Sequence, residues 1–205
     1  MPVTLTRLLI GALAASYAGA AASADLRSAP PPVAYVAPSQ PYSIVSEVRI
    51  GGAVQDPGSA ERNTNNVNGE ILLAKPVVSA DPFWQAFVPR PTVGGSYNTG
   101  GRTSYAYIGG TWTVDIFPQT FRNIVFVEGF FGAGFHNGST GEKAYTPPGF
   151  NALGCSPLFR EGAALGFRLT EHWSIMATVE HMSNAGLCLN NRGLTNFGGK
   201  VGYTF

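Results

Sequence analysis

His181 and Ser183 stand two residues apart at the end of a stretch that alternates between apolar and polar or small residues from Trp173 to Ser183. Period-two alternation marks a strand and puts residues i and i+2 on one face, about 6.5–7 Å apart. An imidazole spans that gap to a hydroxyl, and a histidine in reach of a serine is the general-base and nucleophile pair of acyl transfer. Trp173, Ile175, Ala177, Val179, His181 and Ser183 share one face; Ser174, Met176, Thr178, Glu180 and Met182 share the other. The pair therefore interrupts an apolar face, while Glu180 points to the opposite side. His-x-Ser alone is a short pattern, and a polar pair at a sheet's rim serves equally as ordinary surface.

The elements that must hold the pair are strands throughout. After Ala24 no window carries a 3.6-residue period, whereas alternation recurs between Gly, Pro, Asn and Asp. The pattern predicts eight strands, at 44–55, 68–79, 86–98, 103–116, 122–137, 157–170, 172–183 and 194–205. Tight turns are expected near Asp81-Pro82, at Phe117 to Phe121 and at Thr170-Glu171. Longer loops are expected at 56–67, 138–156 and 184–193, with a short one at 99–102. Short turns alternating with longer loops, an even strand count and strands of about ten residues describe an outer-membrane barrel. The expected fold is an all-β, eight-stranded antiparallel up-and-down transmembrane β-barrel of the bacterial outer membrane.

Composition agrees. Of 205 residues, 12% are Asp, Glu, Lys or Arg, about half the share in soluble domains, and 26 are Gly. Mean hydropathy is only +0.06, which excludes a protein of long apolar helices. A formal net charge of +1 gives no sign of a nucleic-acid partner. Outward faces that meet hydrocarbon explain the missing charge, and small interior residues explain much of the Gly. A soluble β-sandwich or soluble ligand-binding barrel would instead need a polar outer face.

Residues 1–24 read as a secretory signal, with Arg7, an apolar stretch from Leu8 to Ala21, and Ala22-Ser23-Ala24 as an A-x-A cleavage site. Residues 25–42, with five prolines between Pro30 and Pro41, read as an extended lead-in to a barrel domain at 43–205. The last strand ends on Phe205 with Tyr203 and Val201 on the same face, which resembles the signal read by the barrel assembly machinery. An even strand count puts the tight turns on the periplasmic side, so strand 172–183 runs outward. His181 and Ser183 then reach the outer wall near the outer leaflet, where a polar pair is suited to act on lipid.

The segment Glu180-His181-Met182-Ser183-Asn184-Ala185-Gly186-Leu187, followed by Asn191, Gly193 and a final strand, resembles the lipid A 3-O-deacylase family over about residues 160–205. The resemblance implies a serine esterase that removes the ester-linked 3-hydroxyacyl chain at position 3 of lipid A in lipopolysaccharide. It implies Ser183 as nucleophile, His181 as base, and Asn184, Gly186 and Asn191 at the oxyanion site. Asn184, Gly186 and Asn191 would serve equally as turn residues. Family members carry a Glu on the final strand as third triad member, and the matching position here is Thr195.

Geometry offers a replacement acid. If Thr170-Glu171-His172 is a three-residue turn, Phe167 pairs with Ile175, Leu165 with Ala177, and Glu161 falls opposite His181. Directly opposed residues have Cβ atoms about 4.5–5.5 Å apart, close enough for a carboxylate to orient an imidazole. Glu161 is thus expected as the third catalytic residue, with a plain rim carboxylate as the alternative.

Cys155 and Cys188 are the only cysteines, and both fall in loops expected on the outer side of an exported protein, which predicts one disulfide. His136 and His172 fall at interior or turn positions and read as structural, with no metal cluster. Arg102, Lys143, Arg160 and Arg192 are expected near the outer rim, facing lipid phosphates or solvent. Ester hydrolysis of this kind requires no cofactor, and no nucleotide motif is present. Two other functions fit the same pattern: a structural or adhesion-type barrel, and a lipid A acyltransferase.

Overall fold

The computed structural model describes residues 43–116, 120, 123–141 and 145–205. The expected signal and lead-in, Lys143 and most of the expected turn at 117–121 lie outside the described residues. Eight strands form a closed barrel in chain order: β1 Val45–Gln55, β2 Thr64–Leu73, β3 Arg90–Asn98, β4 Tyr105–Asp115, β5 Val125–His136, β6 Leu158–Arg168, β7 Trp173–Ser183 and β8 Leu194–Thr204. Every neighbouring pair is antiparallel, and β1 closes the barrel against β8. The eight-stranded antiparallel barrel read from the alternation is therefore the observed fold.

The alternation is visible as burial. On β7, Trp173, Ile175, Ala177 and Val179 are exposed, whereas Ser174, Met176, Glu180 and Met182 are buried. Ile50, Ile108, Val127, Phe131, Leu165, Phe197 and Val201 continue the apolar outer wall around the barrel. Such a wall is suited to hydrocarbon and not to water.

The inner face is polar and charge-balanced. Arg49 reaches Glu47 at 2.6 Å, Glu70 at 3.1 Å and Glu128 at 2.6 Å. Arg90 joins Glu47 and Glu128, and Lys200 bridges Glu70 at 3.0 Å and Glu180 at 2.8 Å. Arg160 pairs with Glu180 at 2.8 Å and lies over the rings of Tyr107 and Phe130. Each of these strand ions thus has a counter-ion, which offsets a desolvation cost of several kcal/mol per charge. Towards the loop end, Tyr105, Leu153, Leu158, Met182 and Leu194 form an apolar plug behind the wall that carries His181.

Two expectations shift. β2 starts four residues earlier than the pattern predicts, because Asn66, expected in the loop, faces the barrel interior in phase with Asn68. Ser96 Oγ donates to Asn68 Oδ1 at 2.7 Å, and Asn98 Nδ2 to Asn66 Oδ1 at 2.8 Å, so the interior pairs both amide oxygens, while their Nδ2 groups are buried without a partner among the described residues. The turn expected at Asp81-Pro82 is instead the start of a short helix, α1 Pro82–Ala86, within a longer β2–β3 connection. Asp81 caps it by accepting from Phe83 N at 2.8 Å, and Pro82 suits the first helical position.

Candidate active site

Three adjacent strands build the site. The β6–β7 turn closes at residues 170–172: Leu169 N donates to Trp173 O at 2.8 Å, and Thr170 Oγ1 accepts from Trp173 N at 2.9 Å. That turn fixes the register: Phe167 opposes Ile175, Leu165 opposes Ala177, and Glu161 opposes His181. On the other side His181 opposes Thr195 of β8. Glu161, His181 and Thr195 therefore form one row across the outer wall, one step from Ser183, which opposes Phe159.

His181 is held from two directions. Its Nδ1 lies 2.8 Å from Thr195 Oγ1. Its ring also packs on Gly193, where a Cβ would stand 2.9 Å from Cε1 and 3.3 Å from Nε2. Gly193 has φ +70°, a conformation that glycine adopts without a Cβ penalty, so the chain enters β8 flat against the imidazole. When Nδ1 carries the proton and donates to Thr195, Nε2 is left with its lone pair. Among the described residues Nε2 has no hydrogen-bond partner, and neither has the half-buried Ser183 hydroxyl. His181 and Ser183 are thus on one face, with Nε2 and Oγ unpartnered among the described residues.

Glu161 is exposed on the wall beside His181, and among the described residues its carboxylate accepts no hydrogen bond. The imidazole turns its Nδ1 to Thr195 instead. Glu180, next in sequence to His181, faces inward and is consumed by Arg160 and Lys200.

The β7–β8 loop at 184–193 follows Ser183 and is held by the neighbouring loops. Asn184 is buried, and its side-chain amide donates to the carbonyls of Leu153, at 2.8 Å, and Asn190. Its Oδ1 accepts from Gly186 N at 2.9 Å, and its backbone N–H donates to Asn191 Oδ1 at 2.9 Å. Asn184 is therefore committed to holding the loop. Asn191, with its oxygen fixed by Asn184, keeps its amide N–H groups unpartnered among the described residues and exposed. Ala185, at φ +52°, likewise donates its backbone N–H to no described acceptor. Two donors are thus left open in the loop that follows Ser183, one of them from a residue with no sequence signal.

Neighbouring loops pin the same segment. Cys155 and Cys188 are joined by a disulfide with Cα atoms 6.2 Å apart. Arg192 N donates to Ala152 O at 3.1 Å, and Asn151 Nδ2 donates to Gly193 O at 3.1 Å and Asp56 Oδ2 at 2.6 Å. Sequence reasoning missed Gly193 and Asn151, because both act through contacts between loops.

Of the expected rim cations, Arg160 is corrected. It is 1% exposed and lies inside the barrel with Glu180, on the inward phase of β6. Arg102 donates to Pro148 O at 3.3 Å and lies over the Phe150 ring, so it braces a loop. Arg192 stays exposed while donating to Gly58 O at 3.0 Å. His136 bonds Cys155 O and His172 bonds Thr204 O, each at 2.8 Å, in accord with structural roles.

A closed eight-stranded barrel with an apolar outer wall, interrupted at its loop end by histidine, serine and open N–H donors, defines a small membrane-type barrel with a wall-mounted polar site. The chain belongs to the lipid A 3-O-deacylase (PagL) family, whose model matches residues 78–204. The crystal structure of the outer membrane enzyme PagL superimposes with TM-score 0.55 at 15% identity, covering 78% of this chain and all (100%) of that one. De novo designed transmembrane β-barrels are similar at TM-score 0.47 and 14% identity, over 79% of this chain and 96% of the design. The Yersinia pestis outer membrane protein Ail follows at TM-score 0.40 and 14% identity, over 78% and 99%. No curated protein sequence matches.

Proposed function

We propose that this protein is an outer-membrane serine esterase that removes the 3-hydroxyacyl chain ester-linked at the 3-O position of lipid A. The observation that carries the reading is the His181–Ser183 couple on the apolar wall at the loop end, with Nδ1 of the base held by Thr195. An ester whose acyl chain lies along that wall reaches Ser183 without leaving the bilayer. Family membership supplies the substrate class.

Ser183 Oγ attacks the acyl carbonyl as its proton passes to His181 Nε2. The carbonyl oxygen, now an oxyanion, is met by the open N–H groups of Asn191 and Ala185, while Asn184 and Gly186 hold the loop that presents them. Preorganised donors of this kind contribute about 3–4 kcal/mol to acyl transfer. His181 then protonates the departing sugar oxygen. Water, deprotonated by His181, attacks the acyl-enzyme and releases a free 3-hydroxy fatty acid. Glu161, one strand away from His181, supplies a negative charge near the imidazolium formed in the step, and Thr195 holds the ring's orientation. Export follows cleavage after Ala24, and Phe205 presents the aromatic end to the assembly machinery.

Mass spectrometry of lipid A from cells with the protein, without it, and with Ser183→Ala tests this. Loss of one 3-hydroxyacyl chain that needs Ser183 supports the esterase. Gain of a chain would identify an acyltransferase, and an unchanged lipid A a structural barrel.

A further inference from the structure

The barrel end where β1 begins and β8 ends has a feature unrelated to the esterase site. Between β2 and β3, residues 74–89 leave the barrel, form α1 and return. The segment is folded on itself: the Gln85 side chain accepts from Val78 N at 3.1 Å and Ser79 N at 3.2 Å and donates to Pro76 O at 2.7 Å.

Its position is outside the barrel. On β4, Thr111 and Thr113 face inward, where they meet Thr92 and Arg90. Gly110 and Trp112 have the opposite phase and face outward. The Trp112 indole N–H donates to Phe87 O at 2.7 Å, and a Cβ on Gly110 would stand 2.7 Å from Pro89, so the segment lies on the outer wall. Phe83, Trp84 and Phe87 then project away from the protein, 62%, 63% and 60% exposed, with Phe83 edge-on to each of the other two at 5.2 Å. Val77 and Val78 flank them, also exposed.

Three clustered aromatic side chains facing water would forfeit about 25 cal/mol for every Å² left unburied. The wall they adjoin, through the exposed Val93 and Val114, is the apolar surface of the barrel. Aromatic side chains of membrane proteins concentrate where hydrocarbon gives way to headgroups. We propose that residues 74–89 are an interfacial anchor that inserts Phe83, Trp84 and Phe87 into the inner, phospholipid leaflet of the membrane. The anchor rests on the membrane placement of the barrel and is independent of the chemistry at Ser183.

The test uses the full mature chain refolded into phosphatidylcholine vesicles whose acyl chains carry bromine near the headgroup end. Trp84→Phe and Trp173→Phe variants, each checked as a folded barrel, isolate by difference the emission of either tryptophan. Trp173 is the control, since it sits on the outer wall at the same end. We expect brominated lipid to remove about half of the Trp84 emission or more, as for side chains seated at the headgroup boundary. Quenching of Trp173 together with a Trp84 signal that responds only to aqueous acrylamide overturns the anchor. So does a Trp84 shielded from both quenchers, which points to a protein covering the patch. If neither tryptophan responds to brominated lipid, the membrane placement itself fails, and the anchor with it.

Discussion

His181 Nδ1 is bonded at 2.8 Å to the hydroxyl of Thr195, the residue directly opposite it on β8. A hydroxyl can donate to or accept from Nδ1 and so holds the ring's orientation, but it cannot neutralise an imidazolium formed when a serine proton arrives. The relationship separates two jobs that one carboxylate does in a serine triad. In the proposed mechanism orientation falls to Thr195, and charge compensation is left to another group. Thr195→Val is expected to lower kcat about 10–100-fold with little change in KM, because the base loses its orientation and not the substrate its binding surface. Thr195→Glu is expected to raise kcat above the parent. Time courses of 3-hydroxy fatty acid release from lipid A vesicles check both.

Glu161 is the group left for compensation, in register with His181 on β6 yet not bonded to it. A charge acting across roughly 5 Å near a surface is worth about 1–3 kcal/mol. Glu161→Gln is therefore expected to lower kcat by about tenfold, and to make the remaining activity less sensitive to salt, since screening acts on the lost charge. Full activity in Glu161→Gln would reduce the residue to a rim carboxylate.

Gly193 is the tightest constraint on the base. Alanine there adds strain at φ +70° of about 1–2 kcal/mol and drives a methyl into the His181 ring. Gly193→Ala is expected to abolish most activity while the barrel still folds, as judged by the gel mobility of unheated samples. Asn151→Ala, which frees the Gly193 carbonyl from its 3.1 Å bond, is expected to show a milder loss of the same kind.

The alignment of Glu161 with His181 was legible in the sequence because alternation and one short turn determine a register without knowledge of anything distant. The same logic read the barrel, since outward apolar residues recur on every strand. The start of β2 was misplaced because Asn65 and Asn66 look like loop residues until the interior of a small barrel is known to be polar. Arg160 was misplaced for the same reason: its partners Glu180 and Tyr107 come from other strands. The packing of Gly193 on His181, and the bond from Asn151 that supports it, arise from loops meeting in space, and no local pattern announces them.

The disulfide between Cys155 and Cys188 ties the β5–β6 loop to the β7–β8 loop across 33 positions of sequence. By chain entropy such a link constrains the unfolded state by about 3–4 kcal/mol. Its place matters more than that figure. Cys188 lies between Gly186 and Asn191, so the bridge holds the segment whose N–H groups meet the oxyanion in the proposed mechanism. The barrel itself is held by its strand ladders and by the interior ion pairs, none of which the bridge touches. Cys188→Ser is therefore expected to leave a folded barrel with kcat reduced about tenfold or more, the loss expected when a preorganised donor loses its fixed position. Reduction of the native protein is expected to reproduce the effect, and reoxidation to reverse it, both followed by acyl release alongside unheated gel mobility.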